Sequence, residues 1–262
     1  MWHLKWVLQT LLPFASGQGL WILIHLTSLP LDVPLTTIAR WRLARMDKFD
    51  ILIQDLERVR TSGTSFGMFG ESSHGYELHA PLLDADVFAF EHEHLIRLPN
   101  DYRQFLTRVG NGGAGPYYGL FRLSEMDHGF DHGPWGDFVG RLSSPFPHNI
   151  PWNDLTGKPD DQASLDSNEY EDLIETFERK YYNSRQVDGA IPICHLGCAL
   201  RQWLVISGPE AGNVWCDARA DYKGLFPVQT QGHVRASFFK WYRDWLDEVL
   251  SKVQLWEERS SA

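Results

Sequence analysis

Five stretches of the chain place apolar residues three or four positions apart, which is the spacing of an amphipathic helix. They begin at Asp47, Asp84, Asn100, Glu169 and Ser237. The last stretch is the longest, and Ser237 is a residue type that favours the start of a helix. We expect this C-terminal helix to bury one apolar face, made of Phe238, Trp241, Trp245, Leu246, Val249 and Val253.

Shorter apolar runs separated by turn residues predict β-strands after position 190. The runs are Ala190 to Cys194, Arg201 to Ser207 and Asn213 to Asp217, with a Gly- and Pro-containing hairpin turn at 208–212. Tyr76 to Leu83 is a weaker candidate. Helices at both ends with strands between them predict an α+β fold: a mixed or mainly antiparallel sheet, helices packed around it, and the last helix on the sheet.

Residues 47–255 are predicted to form a single domain, followed by a short tail at 256–262. Within it, residues 124–165 are rich in Pro and Asp and predict a long loop. Residues 1–46 differ from the rest, because no charged side chain lies between Lys5 and Asp32. Three interpretations stay open for them: a wrongly assigned start with Met46 as the first residue, a signal or membrane anchor, and a structural extension. Helical periodicity beginning at Asp47 favours the first.

The charge balance limits the classes of molecule that we expect the protein to bind. The 262-residue chain has a formal net charge of −10, so a nucleic-acid partner is not expected, because its phosphates would be repelled. A basic protein is a suitable partner, although acidity that merely maintains solubility explains the balance equally well. Three cysteines are too few for a disulfide framework and favour a reducing compartment. We therefore expect a cytoplasmic protein unless the N-terminal stretch is a signal or an anchor.

The segment RVGNGGAGPYYGLFR, from Arg108 to Arg122, has glycines where a phosphate-binding loop would also have them. Such a loop follows a strand, opens a helix and carries a lysine. Here the glycines follow a predicted helix and no lysine is near, so no phosphate or cofactor site is expected. Glycine instead permits a positive φ where a helix stops, and Gly115-Pro116 fixes a turn. We expect this loop to be architectural.

This loop and the helix before it resemble the hallmark of the SUKH superfamily. The first motif consists of Leu98, Pro99, Tyr102 and Phe105, then Gly110, Asn111, Gly112, Gly115, Pro116 and Gly119. Later positions are similar to the C-terminal half of the same family: Gly197, Gly208, Gly212, Trp215, Trp241 and Trp245. The resemblance covers about residues 47 to 255, and the apolar N-terminus and the 124–165 insertion depart from it.

The resemblance implies a protein-binding domain without enzymatic activity. Bacterial members neutralise a cognate toxin, often a nuclease, and fungal members regulate cell-wall assembly. The expected function is immunity to a basic toxin domain, and a regulatory or scaffold protein is the alternative. No small-molecule substrate is inferred, and the oligomeric state stays open.

Metal-dependent chemistry is the remote alternative. Cys194, His195, Cys198 and Cys216 could supply four ligands, but they lie among predicted strands without the Cys-x-x-Cys spacing of zinc knuckles. His92 and His94 are two positions apart on a helix and face different ways. A hydrolase would have to use the DHGFDHG loop, with Asp127, His128, Asp131 and His132. We expect no metal and no cofactor.

The insertion supplies an aromatic residue among several carboxylates. Interfaces draw much of their binding energy from aromatic anchors, whereas charges set the association rate. We therefore predict that part of the partner-binding surface is formed by Trp152, Asp154, Asp160, Asp161 and Asp166. A solvated loop without a partner is the alternative.

Overall fold

A computed structural model describes residues 46–63, 65–123, 138–160, 166–230, 232 and 235–260. Every helix and strand described below lies within the unit Lys48–Ala262. Its helices are α1 (Lys48–Thr61), α2 (Glu71–His74), α3 (Asp84–His94), α4 (Asn100–Arg108), α5 (Ser167–Tyr181) and α6 (Phe238–Ser260). Its strands are β1 (Ala190–Gly197), β2 (Leu200–Val205), β3 (Val214–Asp217) and β4 (Leu225–Pro227).

The four strands form one antiparallel sheet in chain order, which confirms the predicted α+β class with a C-terminal helix. β4 was not predicted, because three residues are too few to show a period-two pattern. Tyr76–Leu83 is not a strand: it contributes an isolated bridge between Leu78 and Gly113. α6 starts as expected, since the Ser237 hydroxyl accepts a hydrogen bond from the Lys240 amide at 3.3 Å, and it continues to Ser260, into the predicted tail.

The sheet is apolar on both faces. On one face, Ile191, Ile193, Leu204 and Val214 join the large core with α1, α4 and α6. The predicted face of α6 is buried there in full. On the other face, Trp203 and Trp215 are completely buried in a second, smaller core. Both faces therefore need a cover of their own.

The insertion provides the second cover. Phe146 packs edge-on against Trp215, with 5.0 Å between ring centroids, and Trp152 pairs through its backbone with Leu225 at the edge of the sheet. α5 adds Phe177 and Tyr181, which are both buried. Residues 138–160 have no regular secondary structure, as predicted; Phe146 is buried against the sheet and Trp152 is packed beside it, whereas many of the other side chains are exposed.

A buried ion pair lies beside the second core, where β3 ends. Arg219 donates to both carboxylate oxygens of Asp217, at 2.9 and 2.6 Å, and Asp217 also accepts from the Trp203 indole at 3.2 Å. Both charged side chains are almost inaccessible to water. Burial of a charge is tolerated here because each ion has its counter-charge and several further hydrogen bonds.

Two helices bury fewer apolar side chains than their helical periodicity alone would indicate. α3 buries Val87, while Phe88 and Leu95 are 63% and 80% exposed. In α1 the buried side chains are Phe49, Leu52, Leu56 and Val59, and Ile53 lies at the surface. Helical periodicity alone did not locate the centre of each apolar stripe, because α3 packs mainly against α4 and leaves most of its circumference uncovered.

We predict that Trp241→Ala lowers the free energy of unfolding by about 3–5 kcal/mol, because it opens a cavity in the main core. Trp241 is 4% exposed, whereas Trp256, four turns further along the same helix, is 41% exposed. Trp256→Ala is the matched control, and we expect it to change stability by less than about 1 kcal/mol. Urea denaturation of the two variants measures the difference; equal midpoints would contradict the packing described here.

Candidate binding groove

A groove of about 920 Å³ lies between α6, the loop before α2, the glycine loop and the segment after β4. α6 supplies one wall with Trp241, Trp245 and Glu248. The opposite side is formed by Gly67, Met68, Phe69, Pro116 and Tyr117. A smaller cavity of about 460 Å³ adjoins it and shares Tyr117, Gln202, Val228 and Gln229.

The wall formed by residues 66–69 is fixed by one carboxylate. Glu71 accepts hydrogen bonds from the Phe66, Gly67 and Met68 amides at 3.0–3.1 Å, from the Tyr76 hydroxyl at 2.6 Å and from the Ser65 hydroxyl. Burial opposes ionisation of Glu71, but these donors prevail and lower its pKa to about 2. The same loop therefore stays closed around an ionised Glu71 at neutral pH.

A backbone contact with the glycine loop also holds this wall of the groove in place. Gly70 has φ +79°, and a Cβ built on it would lie 2.1 Å from the carbonyl oxygen of Tyr117. Glycine is required there, because no other residue lets the two backbone segments approach so closely. The contact places the exposed Phe69 ring edge-on to Tyr117 and Tyr118, with centroids 6.4 and 5.3 Å away.

The glycine loop is also fastened to α6. The Tyr242 hydroxyl donates to the Ala114 carbonyl oxygen at 2.9 Å, and both groups are buried. Tyr76 stacks on Trp245 with 6.3 Å between centroids. Gly112 and Gly113 have φ of +83° and +101°, and a Cβ on Gly119 would lie 2.5 Å from the Gly113 carbonyl oxygen. The glycines in this segment thus allow tight backbone packing beside the groove.

Charges on the groove wall are largely paired within α6. Lys240 contacts Asp244, and Asp247 contacts Arg243 at 2.5 Å. Glu248 has no ion pair among the described residues, and with Cys194 and Cys216 it contributes to a raised pKa of the Tyr117 phenol, for which burial is the main cause. The groove therefore combines aromatic rings with a carboxylate that forms no ion pair among the described residues.

The residues predicted as a partner surface have different environments. Trp152 is half-buried and stacks on Tyr181 and His148, at 5.4 and 5.2 Å. Asp154 is bonded to Lys180 at 2.8 Å, and that contact, with Thr156, lowers its pKa to about 2. Asp166 caps α5 by accepting from the Asn168 and Glu169 amides. Asp160 is exposed, and Asp161 lies outside the described residues. The predicted interface stays a prediction.

The candidate metal ligands do not converge. Within the described ranges, no group of three or more His, Cys, Asp or Glu side chains is placed to hold a metal ion. Cys194 and Cys216 are buried, Cys198 is exposed, and burial raises the pKa of both buried thiols. His92 and His94 contact Phe88 and Phe90 on α3. The DHGFDHG loop lies outside the described residues.

The motif residues of the glycine-loop region are mostly internal. Leu98, Tyr102 and Phe105 belong to the main core, and the buried Asn111 side chain accepts from the Leu123 amide at 2.9 Å. A family model described as SMI1 / KNR4 family (SUKH-1) matches residues 81–228, more than half of the 262-residue chain. The chain belongs to the SUKH-1 family. The resemblance seen in the sequence is thereby confirmed.

Comparisons with curated proteins and with solved structures gave no match. The SUKH-1 match ends at residue 228, so α6, which forms one wall of the groove, lies outside the matched range. Membership in a family of immunity and regulatory domains supports a protein that acts by binding. Across the residues described, no helix is long and apolar enough to cross a membrane.

Sequence reasoning missed the residues that form the opposite groove wall. Met68 and Phe69 lie in a Ser- and Gly-rich stretch interpreted only as a loop, and Gln202 lies in a predicted strand. Two adjacent apolar residues in an otherwise polar loop were the available signal. Their position against Tyr117 depends on the turn at Gly70, which the sequence pattern did not reveal.

We predict that the stabilising effect of Glu71 is lost in acid. Its folded pKa is depressed to about 2 from an ordinary value of 4.5, so its contribution is fully present above about pH 4.5 and declines as the pH falls towards 2. Glu71→Gln should lower the thermal unfolding midpoint at pH 7 and make little difference near pH 2. Glu93→Gln, on the exposed surface of α3, is the control. A difference between wild type and Glu71→Gln that is constant across this range would contradict the assignment.

Proposed function

We propose that this protein is an immunity protein that neutralises a cognate bacterial toxin by binding a basic toxin domain through the groove beside α6. The observation that carries the proposal is the groove itself, whose walls are held in place before any partner arrives. A preformed site avoids much of the ordering cost of association. Membership in the SUKH-1 family supports a binding role, and the net charge of −10 suits a basic partner.

Phe69 is the proposed anchor of this interface. Its side chain is 62% exposed although it is large and apolar, and its loop is fixed by Glu71. Exposed aromatic side chains on a fixed backbone are frequent centres of binding energy. Removal of the ring should therefore affect partner binding far more than it affects folding.

A regulatory or scaffold protein is the second candidate, and the outer face of α3 favours it. Leu83, Phe88 and Leu95 are 70%, 63% and 80% exposed around this helix. A protein that joins two partners needs two separate surfaces, and these side chains are distinct from those that line the groove. An immunity protein needs only one surface.

Co-expression with a toxin domain encoded beside this gene tests the proposal. Wild type should restore growth, and Phe69→Ala should weaken binding by on the order of tenfold or more, mainly through faster dissociation. Phe88→Ala removes an equally exposed ring from α3 and is the matched control. Failure of wild type to protect from, or bind, the neighbouring toxin would refute immunity. Loss of binding in Phe88→Ala alone would favour the scaffold alternative.

The predicted insertion surface is tested in the same assay. Asp160→Asn is the suitable variant, because Asp160 is exposed and its substitution should leave folding unchanged. If the insertion meets the basic toxin, association should slow by a few-fold at low salt, with dissociation unaffected. Trp152→Ala is less informative, since its ring stacks on Tyr181 and its loss should also lower stability. An unchanged association rate for Asp160→Asn would exclude this residue from the interface.

A further inference from the structure

Gln202 is a polar side chain in an unusual position. It lies on β2, is 3% exposed, and lines both the groove and the adjoining cavity. Its Oε1 accepts a hydrogen bond from the Cys194 thiol at 3.6 Å. Its Nε2 makes no hydrogen bond to the part of the chain that the structure describes, and it is not among the fully buried unpartnered atoms, so water can reach it. A donor on a cavity wall can exchange this water for an acceptor atom of a ligand.

Tyr117 connects this amide to the rim of the groove. Its ring lines both cavities, the larger one together with Glu248 and the smaller one together with Cys216. Cys216 is the cross-strand neighbour of Gln202. The groove therefore presents an amide donor near the sheet, aromatic rings above it and the Glu248 carboxylate at the surface.

The amide donor, the aromatic rings and the carboxylate together suit a cationic side chain that is carried by a peptide. A guanidinium group can stack on an aromatic face while it forms two hydrogen bonds to a carboxylate, which a lysine ammonium cannot do. The peptide backbone that carries the side chain supplies carbonyl oxygens for an amide donor. Asp244 and Asp247 do not compete, because Lys240 and Arg243 already pair with them.

We propose that the groove receives an arginine side chain from an extended segment of the protein partner. The guanidinium binds Glu248 against the rings of Phe69 and Tyr117, and Gln202 Nε2 donates to a backbone carbonyl of the same segment. This inference rests on the proposed function for the location of the interface. It adds the chemical class of residue that the interface recognises.

Lys252 gives the proposal a second, opposite test. It lies one turn after Glu248 in the same groove wall and has no ion pair within the described ranges. Its ammonium repels an incoming guanidinium, so its removal should strengthen binding. Glu248 and Lys252 therefore have opposite predicted effects, although both lie on one helix and line the same groove.

The tripeptide acetyl-Gly-Arg-Gly-amide is the probe, titrated into the full-length protein while the indole and side-chain amide NMR signals of Trp241, Trp245 and Gln202 are followed. We expect saturable shifts, and binding of the citrulline analogue weaker by about five- to tenfold, because citrulline has the shape of arginine without its charge. The lysine analogue should bind with intermediate affinity. Equal affinities for arginine and citrulline, or no shift in any of the three residues, would overturn the proposal.

Glu248→Gln should reduce affinity for the arginine peptide by about fivefold or more, and Lys252→Gln should increase it by about two-fold. Glu258→Gln, on the same helix but outside the groove, is the charge-matched control and should leave affinity unchanged. Gln202→Met, which removes the amide with little change in volume, should weaken both peptides equally. Glu248→Gln and Glu258→Gln variants with the same affinity would overturn the assignment of Glu248.

The peptide titration needs no toxin, so the two proposals fail separately. If the chain neutralises its toxin and Glu248→Gln protects as well as wild type does, the arginine site is refuted and the immunity function stands. If the arginine peptide binds as described but the neighbouring toxin is not bound, the immunity function is refuted alone.

Discussion

The sheet depends on having both of its faces covered. Every residue of β3, and every residue of β2 after Leu200, is buried, so neither face can be left to water. Helices α1, α4 and α6 cover one face, and the 138–160 segment with α5 covers the other. Removal of either cover would expose tryptophan and branched aliphatic side chains at once. Residues 138–160 are therefore part of the folded domain, and Trp152 and the Asp217–Arg219 pair at the end of β3 belong to the structure that stabilises this cover.

The groove is a consequence of how α6 meets the glycine loop. α6 packs its buried face on the sheet, and Tyr242 fixes the Ala114 backbone to it. The absence of a side chain at Gly70 lets the loop before α2 pack against Tyr117. The Glu71 carboxylate accepts hydrogen bonds from the backbone amides of that loop. The positions of the groove walls are thus fixed by contacts within the chain itself. The side chains that remain open to a partner are Phe69, Tyr117, Glu248 and Lys252, while Gln202 lies at the base.

Much of the fold could be predicted from the sequence. The α6 face was predicted except for Tyr242, because more than six turns of an amphipathic helix give a clear period. Three of the four strands were located by their turns. The exposure of Phe88 on α3 could not be predicted, since an eleven-residue helix does not show by itself which of its sides has a neighbour. The groove was not predictable, because its walls come from four segments distant in sequence, and a positive φ at Gly70 brings two of them together.

Hydrogen exchange of the protein with and without its partner toxin tests the location of the binding surface most directly. The account predicts new protection in residues 66–70, in residues 116–118 and along the groove side of α6, with little change at 148–160. Protection confined to 148–160 and α5, with the α6 groove unchanged, would contradict it.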